Sequence, residues 1–212
     1  MRKLFTGLFL AAGLAASSVA GATVINGTIG TIDGDHDGFV DDAKISRIVF
    51  SVTAGTQVFF DSLVRETTGV DLNGDGFITG FDNYMMLSKA GVLLASNDDS
   101  GATYGDGSVH PYDSVIDWTF ADAGTYMITV GQLGYSQVDA AQGFVADTLY
   151  RTYDGVENFG AWRLTMTATN GFLSNVSEIG VVNVPEPTSL LLLGAGLVGF
   201  GVASRRKAAR GA

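Results

Sequence analysis

Residues 114–131 read SVIDWTFADAGTYMITVG. Ile116, Trp118 and Phe120 recur at every second position. Asp122 to Gly124 supply turn chemistry, and Tyr126, Ile128 and Val130 resume the alternation. A period of two is that of a strand with one face buried, because successive side chains point to opposite faces. The same rhythm recurs on either side. In RIVFSVTAGTQVFF (47–60), Ile48, Phe50 and Val52 share a face, Arg47 and Ser51 take the other with Val49 as a mismatch, and Val58 and Phe60 follow the Thr53-Ala54-Gly55 turn. NYMMLSKAGVLLAS (83–96) places Ala90-Gly91 between two short apolar runs, a hairpin signal. AWRLTMTAT (161–169) sets Trp162, Leu164, Met166 and Ala168 against Arg163, Thr165 and Thr167. Roughly seven such strands, each with one apolar face, predict an all-β fold, an antiparallel β-sandwich in one domain.

Charge narrows the partners. The chain of 212 residues has a formal charge of −10, and 6 of its 12 Lys and Arg lie near its ends: Arg2, Lys3, Arg205, Arg206, Lys207 and Arg210. The body between therefore carries about −15, a field that repels phosphate and argues against nucleic acid as a partner. With no Cys, an exported domain must find its stability without disulfides.

Export is what the front of the chain predicts. Met1-Arg2-Lys3, the apolar LFTGLFLAAGLAA and the small residues Ser18 to Ala22 follow the three-part layout of a secretory signal peptide over 1–22, with cleavage expected after Ala20 or Ala22. The sandwich domain is assigned to 23–183 and a tail to 184–212. That tail reads VPEPTSLLLLGAGLVGFGVASRRKAARGA. Its two prolines hold Val184 to Pro187 extended, and a Gly-diluted apolar run from 189 to 204 suits a transient membrane helix. The basic cluster after that run belongs on the cytoplasmic side, so the body hangs outside the inner membrane.

Pro185, Glu186 and Pro187, the apolar run, and Arg205, Arg206 and Lys207 together resemble the PEP-CTERM sorting tail of Gram-negative bacteria. The resemblance implies processing by exosortase near Pro-Glu-Pro, then release into, or attachment to, a cell surface or polysaccharide-rich extracellular matrix. A permanent single-pass anchor is the alternative. The body carries a second resemblance. Asp82, Leu94 to Ser100, Asp113-Ser114 and Ala123 to Tyr126 are similar to the pre-peptidase C-terminal (PPC) domain, which implies a jelly-roll-like sandwich serving as a non-catalytic accessory module. Acid-rich insertions near 33–42 and 71–82 and a long segment from 132 to 158 depart from that family, and no protease domain precedes the match.

Two loops have the ligand rhythm of calcium sites. DLNGDGFITGFD (71–82) offers oxygens at Asp71, Asn73 and Asp75, the Phe77 carbonyl, Thr79 and Asp82, with Gly76 permitting the turn. DGDHDGFVDD (33–42) offers Asp33, Asp35, Asp37, the Phe39 carbonyl and Asp41. Its twelfth position is Lys44, so Asp42 or the Asp98-Asp99 pair has to complete it. Asp and Gly also build metal-free surface turns, which is the competing reading of both loops. Carboxylates about 6 Å apart in water repel by roughly 0.7 kcal/mol per pair, and a divalent ion reverses that sign. At an affinity of about 0.1 mM, calcium at about 1 mM adds roughly 1.4 kcal/mol per site.

Signs of catalysis are few. Of two histidines, His36 lies in an acidic loop and His110 precedes Pro111 within reach of Asp113 or Ser114, yet no Ser has a nucleophile-elbow setting. The chain also lacks a phosphate-cradling Gly loop and zinc spacing. A non-enzymatic surface or matrix protein is the expectation. A calcium-dependent carbohydrate-binding module using Tyr104, Tyr112, Tyr135, Tyr150 and Tyr153 is the first alternative, and a secreted hydrolase the second.

Overall fold

Strands dominate the computed structural model, which describes residues 21–67, 69–100, 111–152, 155–156 and 159–181. The leader up to residue 20, Tyr104, His110, Tyr153 and the sorting residues Pro185, Glu186, Pro187, Arg205, Arg206 and Lys207 lie outside them. In chain order the strands are β1 (Ala22–Ile32), β2 (Asp42–Lys44), β3 (Ser46–Val52), β4 (Gln57–Leu63), β5 (Asn83–Lys89), β6 (Val92–Asn97), β7 (Val115–Thr119) and β8 (Gly124–Gln132). A short helix α1 (Gln137–Gln142) precedes β9 (Phe144–Val145), β10 (Arg151–Thr152), β11 (Gly155–Val156), β12 (Phe159–Asn170) and β13 (Leu173–Ile179).

Two antiparallel sheets result. One has the order β7-β4-β12-β1-β2-β9 and the other β13-β3-β8-β5-β6, with β10 and β11 as a separate ribbon. Their inner faces meet in one core, where Phe50 of β3 lies 5.4 Å from Phe60 of β4 and Phe120 lies 4.5 Å from Tyr126. The alternating residues fill that core as their period requires. Ile48, Phe50, Val58, Phe60, Ile128, Val130, Trp162, Leu164 and Met166 are all buried. The β-sandwich expected from the alternation is the observed architecture.

The turns divide into two kinds. Ala90 and Gly91 have φ of 48° and 79°, and Lys89 pairs with Val92, a two-residue hairpin whose positive φ values match strand twist. Thr53 to Gly55 and Asp122 to Gly124 instead carry the chain from one sheet to the other, and Gly171-Phe172 does the same between β12 and β13. These arches are tied together: Gly55 N donates to Phe120 O at 2.7 Å, Phe120 N to Thr56 O at 2.8 Å and Thr53 N to Phe172 O at 3.2 Å. They form one pole of the sandwich. The connections at 33–41 and 133–143, with the described residues 64–67, 69–82, 98–100 and 111–114, gather at the opposite, loop pole.

Three side chains depart from the pattern. Arg47, expected outward, is 3% exposed beneath α1, where its guanidinium donates to the carbonyls of Ala141 and Gly180. Desolvation there pushes its pKa below the ordinary value. Tyr135 and Tyr150, expected as exposed loop rings, do lie in loops but are buried. Tyr135 anchors a second small core with Ile45, Met86 and Ala140, its hydroxyl donating to Tyr84 O at 2.7 Å. The helix falls in a region with no strand rhythm. Its signal is local: Ser136 and Asp139 form a capping box, and Gly143 ends the helix at φ 98°.

Candidate functional site

Both acidic loops sit at the loop pole, and each repeats the other's backbone. At the third and fifth loop positions the carboxamide or carboxylate accepts the amide two residues on. Asp37 N donates to Asp35 Oδ1 at 3.1 Å and Phe39 N to Asp37 Oδ1 at 2.8 Å. In the second loop Asp75 N donates to Asn73 Oδ1 at 3.2 Å and Phe77 N to Asp75 Oδ1 at 2.8 Å. The fourth and sixth residues are left-handed in both: His36 and Gly38 at φ 63° and 97°, Gly74 and Gly76 at 74° and 84°. Asx turns and left-handed residues follow from Asp, Asn and Gly at this spacing.

A buried carboxylate holds the second position of each loop from below. Asp42, 1% exposed, accepts from Gly34 N at 2.6 Å and from Asp147 N at 3.0 Å. Glu66, equally buried, accepts from Leu72 N at 2.7 Å, Thr79 N at 2.8 Å and Thr79 Oγ1 at 2.7 Å. Glu66 precedes its loop in sequence and lies outside the ligand rhythm, so sequence spacing does not reveal it. Asp42, one of the two options considered for completing the first loop, is a buried support for the loop's start.

The ligand sets fare differently. Asp33, Asp35 and Asp37 bring carboxylate oxygens within 4.8 Å of one another, an oxygen-only group suited to a hard cation. Asp33 Oδ1 is buried without a hydrogen-bond partner among the described residues. Asp41 also lies close enough to Asp37, Asp147, Asp42 and Asp35 to feel them: desolvation first and then these neighbours raise its pKa. Phe39 stands exposed beside them. In the second loop Asp71 accepts from Gly74 N at 2.6 Å and Gly76 N at 2.9 Å, and these backbone donors, Gly76 foremost, lower its pKa. Asn73 Nδ2 donates to Asp75 Oδ2 at 2.7 Å, Phe77 is exposed, and Thr79 is committed to Glu66 and to Ala161 N.

Asp82 joins a different group. Its carboxylate lies with Asp98 and Asp99, all within 4.8 Å. Desolvation first, then the neighbouring charges, raises the pKa of Asp82 and of Asp98. The Asp98-Asp99 pair weighed for the first loop thus stands beside Asp82. Asp113 and Ser114 are buried: Asp113 Oδ1 accepts from Val64 N at 2.8 Å, and Ser114 Oγ donates to Asn83 O and Asp98 O. They bind the junction of β4, β5 and β7 together.

Comparison with known proteins bears on the end of the chain. No curated protein matches it. Residues 183–207 match the PEP-CTERM protein-sorting motif. That match marks the chain as a substrate of exosortase, exported and sorted to the cell envelope or surface.

Proposed function

We propose that this is a non-enzymatic β-sandwich delivered to the surface or exopolysaccharide matrix of a Gram-negative bacterium, with calcium stiffening its loop pole. The observation that carries the calcium reading is the duplicated loop: two segments of different sequence adopt the same run of Asx turns and left-handed residues around oxygen donors. Asp33, Asp35, Asp37, Asp41 and the Phe39 carbonyl are the donors of the first site. Asp71, Asn73, Asp75 and the Phe77 carbonyl are those of the second, and Asp82 with Asp98 and Asp99 adds further negative charge at the same pole.

Likeness to the PPC family supports a jelly-roll-like accessory module. Two of the residues carrying it, Asp113 and Ser114, are buried in hydrogen bonds within the fold. A tyrosine-lined sugar site draws no support from Tyr135 and Tyr150, which are buried. Thermal melts of the exported protein in about 1 mM calcium and in EDTA test the metal, with a higher midpoint expected in calcium. Coincident melts overturn it. A glycan array run in both solutions tests matrix binding.

A further inference from the structure

Four of the exposed large apolar side chains form two adjacent pairs, one in each acidic loop: Phe39 and Val40 at 65% and 66% exposure, Phe77 and Ile78 at 65% and 54%. Each pair occupies the same two positions of the repeated backbone, directly after a left-handed glycine, Gly38 or Gly76. Folding gains nothing from leaving these side chains in water. They are presented by loops that Asp42 and Glu66 brace from beneath.

The course of the chain says what they face. β13 runs from the arches toward the loop pole, where Ile179 pairs with Arg47 and Gly180 O accepts from its guanidinium. From Val181 to the start of the apolar run at Ser189 is eight residues, at most roughly 28 Å of extended chain. β1 alone, with 11 residues, spans about 36 Å along the sandwich. The connection is therefore too short to set the arches against the bilayer while the tail is inserted. We propose that in the tethered precursor the loop pole rests on the bilayer that holds the tail, with Phe39, Val40, Phe77 and Ile78 dipping into the boundary between headgroups and acyl chains.

Tethering makes this contact intramolecular, so apolar contacts too weak to bind a free protein suffice. The surrounding aspartates oppose it on an anionic surface, where a divalent ion removes the opposition. The proposal rests on the sorting reading of the tail and is separable from the calcium reading. The chain contains no cysteine, so single labels are clean. Intact chain carrying Val40→Cys or Ala54→Cys, each with an environment-sensitive dye, is reconstituted with vesicles containing spin-labelled acyl chains. Ala54 is exposed in an arch at the far pole.

On phosphatidylcholine vesicles the dye at position 40 is expected to be quenched and blue-shifted, and the dye at 54 unaffected. Phe39→Ser together with Phe77→Ser should abolish the quenching while far-UV dichroism stays the same. On vesicles rich in phosphatidylglycerol the quenching should require added calcium. Equal exposure of both dyes on floated vesicles overturns the proposal, and a chain that does not float overturns the tethering together with it. Quenching on both lipids regardless of calcium supports the contact and removes only the metal.

Discussion

Glu66 shows how much of the loop pole depends on single side chains. One carboxylate holds Leu72 N, Thr79 N and Thr79 Oγ1 from a position 1% exposed. Glu66→Gln keeps the shape but turns a donor toward a backbone N–H, so it should cost about 2 kcal/mol in urea denaturation. A change below about 0.5 kcal/mol would mean that the loop is not anchored there. Gly27 is a second such point. A Cβ at that position would lie 2.3 Å from Trp162 Cζ2, whose indole N–H is fixed to Ser46 Oγ at 3.0 Å. The ring cannot retreat without losing that bond, and Gly27→Ala should lower stability by about 1–3 kcal/mol. The sequence makes the alternation of Trp162 plain, but not the bare backbone that its ring needs across the sheet. Contacts between residues 116 or more apart leave no local periodicity to read.

Among the elements, the β5–β6 connection was legible in the sequence as a hairpin. Ala90 nonetheless sits at φ 48°, where a Cβ is unfavourable. Ala90→Asn should therefore raise the stability by about 0.5–1 kcal/mol, read from the urea midpoint at unchanged slope. The arches look the same as hairpins in sequence, because both need a turn between apolar runs. Which sheet the next strand joins is decided by partners far along the chain, such as β12 beside β4.

The acidic elements should answer pH in opposite directions. Asp71 is held below the ordinary carboxylate value, so its contribution is present above that value and is lost as pH falls through the depressed one. Asp82 and Asp98 are raised, so the folded state holds extra protons in the window above the ordinary value, and stability declines as pH climbs through it. Asp71→Asn should then destabilise more at neutral pH than in acid. Asp99→Asn, which removes a neighbouring charge from both raised groups, should stabilise the metal-free protein at neutral pH and flatten that decline. Melts across pH in EDTA decide both. A destabilising Asp99→Asn in EDTA contradicts the charge account.

At the scale of the molecule, alternation alone was enough to read a sandwich, because a sheet with one apolar face has to cover it with another. Phe50, in ring contact with Phe60, Phe120 and Tyr126, stands at the centre of that cover. Phe50→Ala should cost about 3–5 kcal/mol. In a domain of this kind without disulfides, that leaves little native protein at growth temperature. The candidate site was legible as two oxygen-rich loops. Its support by Asp42 and Glu66, and the removal of Asp82 to a separate cluster, depend on tertiary packing and were not.

The pairing of β1 with β12 sets Ala22 against Thr167 and Gly30 against Phe159. The first strand to emerge on the far side of the membrane thus waits for nearly the last. Until residue 167 or so has been threaded through, the central strand of its sheet has no partner on that side, and its backbone amides are open to any edge nearby. A pause during secretion before that point would leave a long β-prone segment exposed beyond the membrane, whereas a pause after it, with the oily tail still in the channel, would release a body already closed.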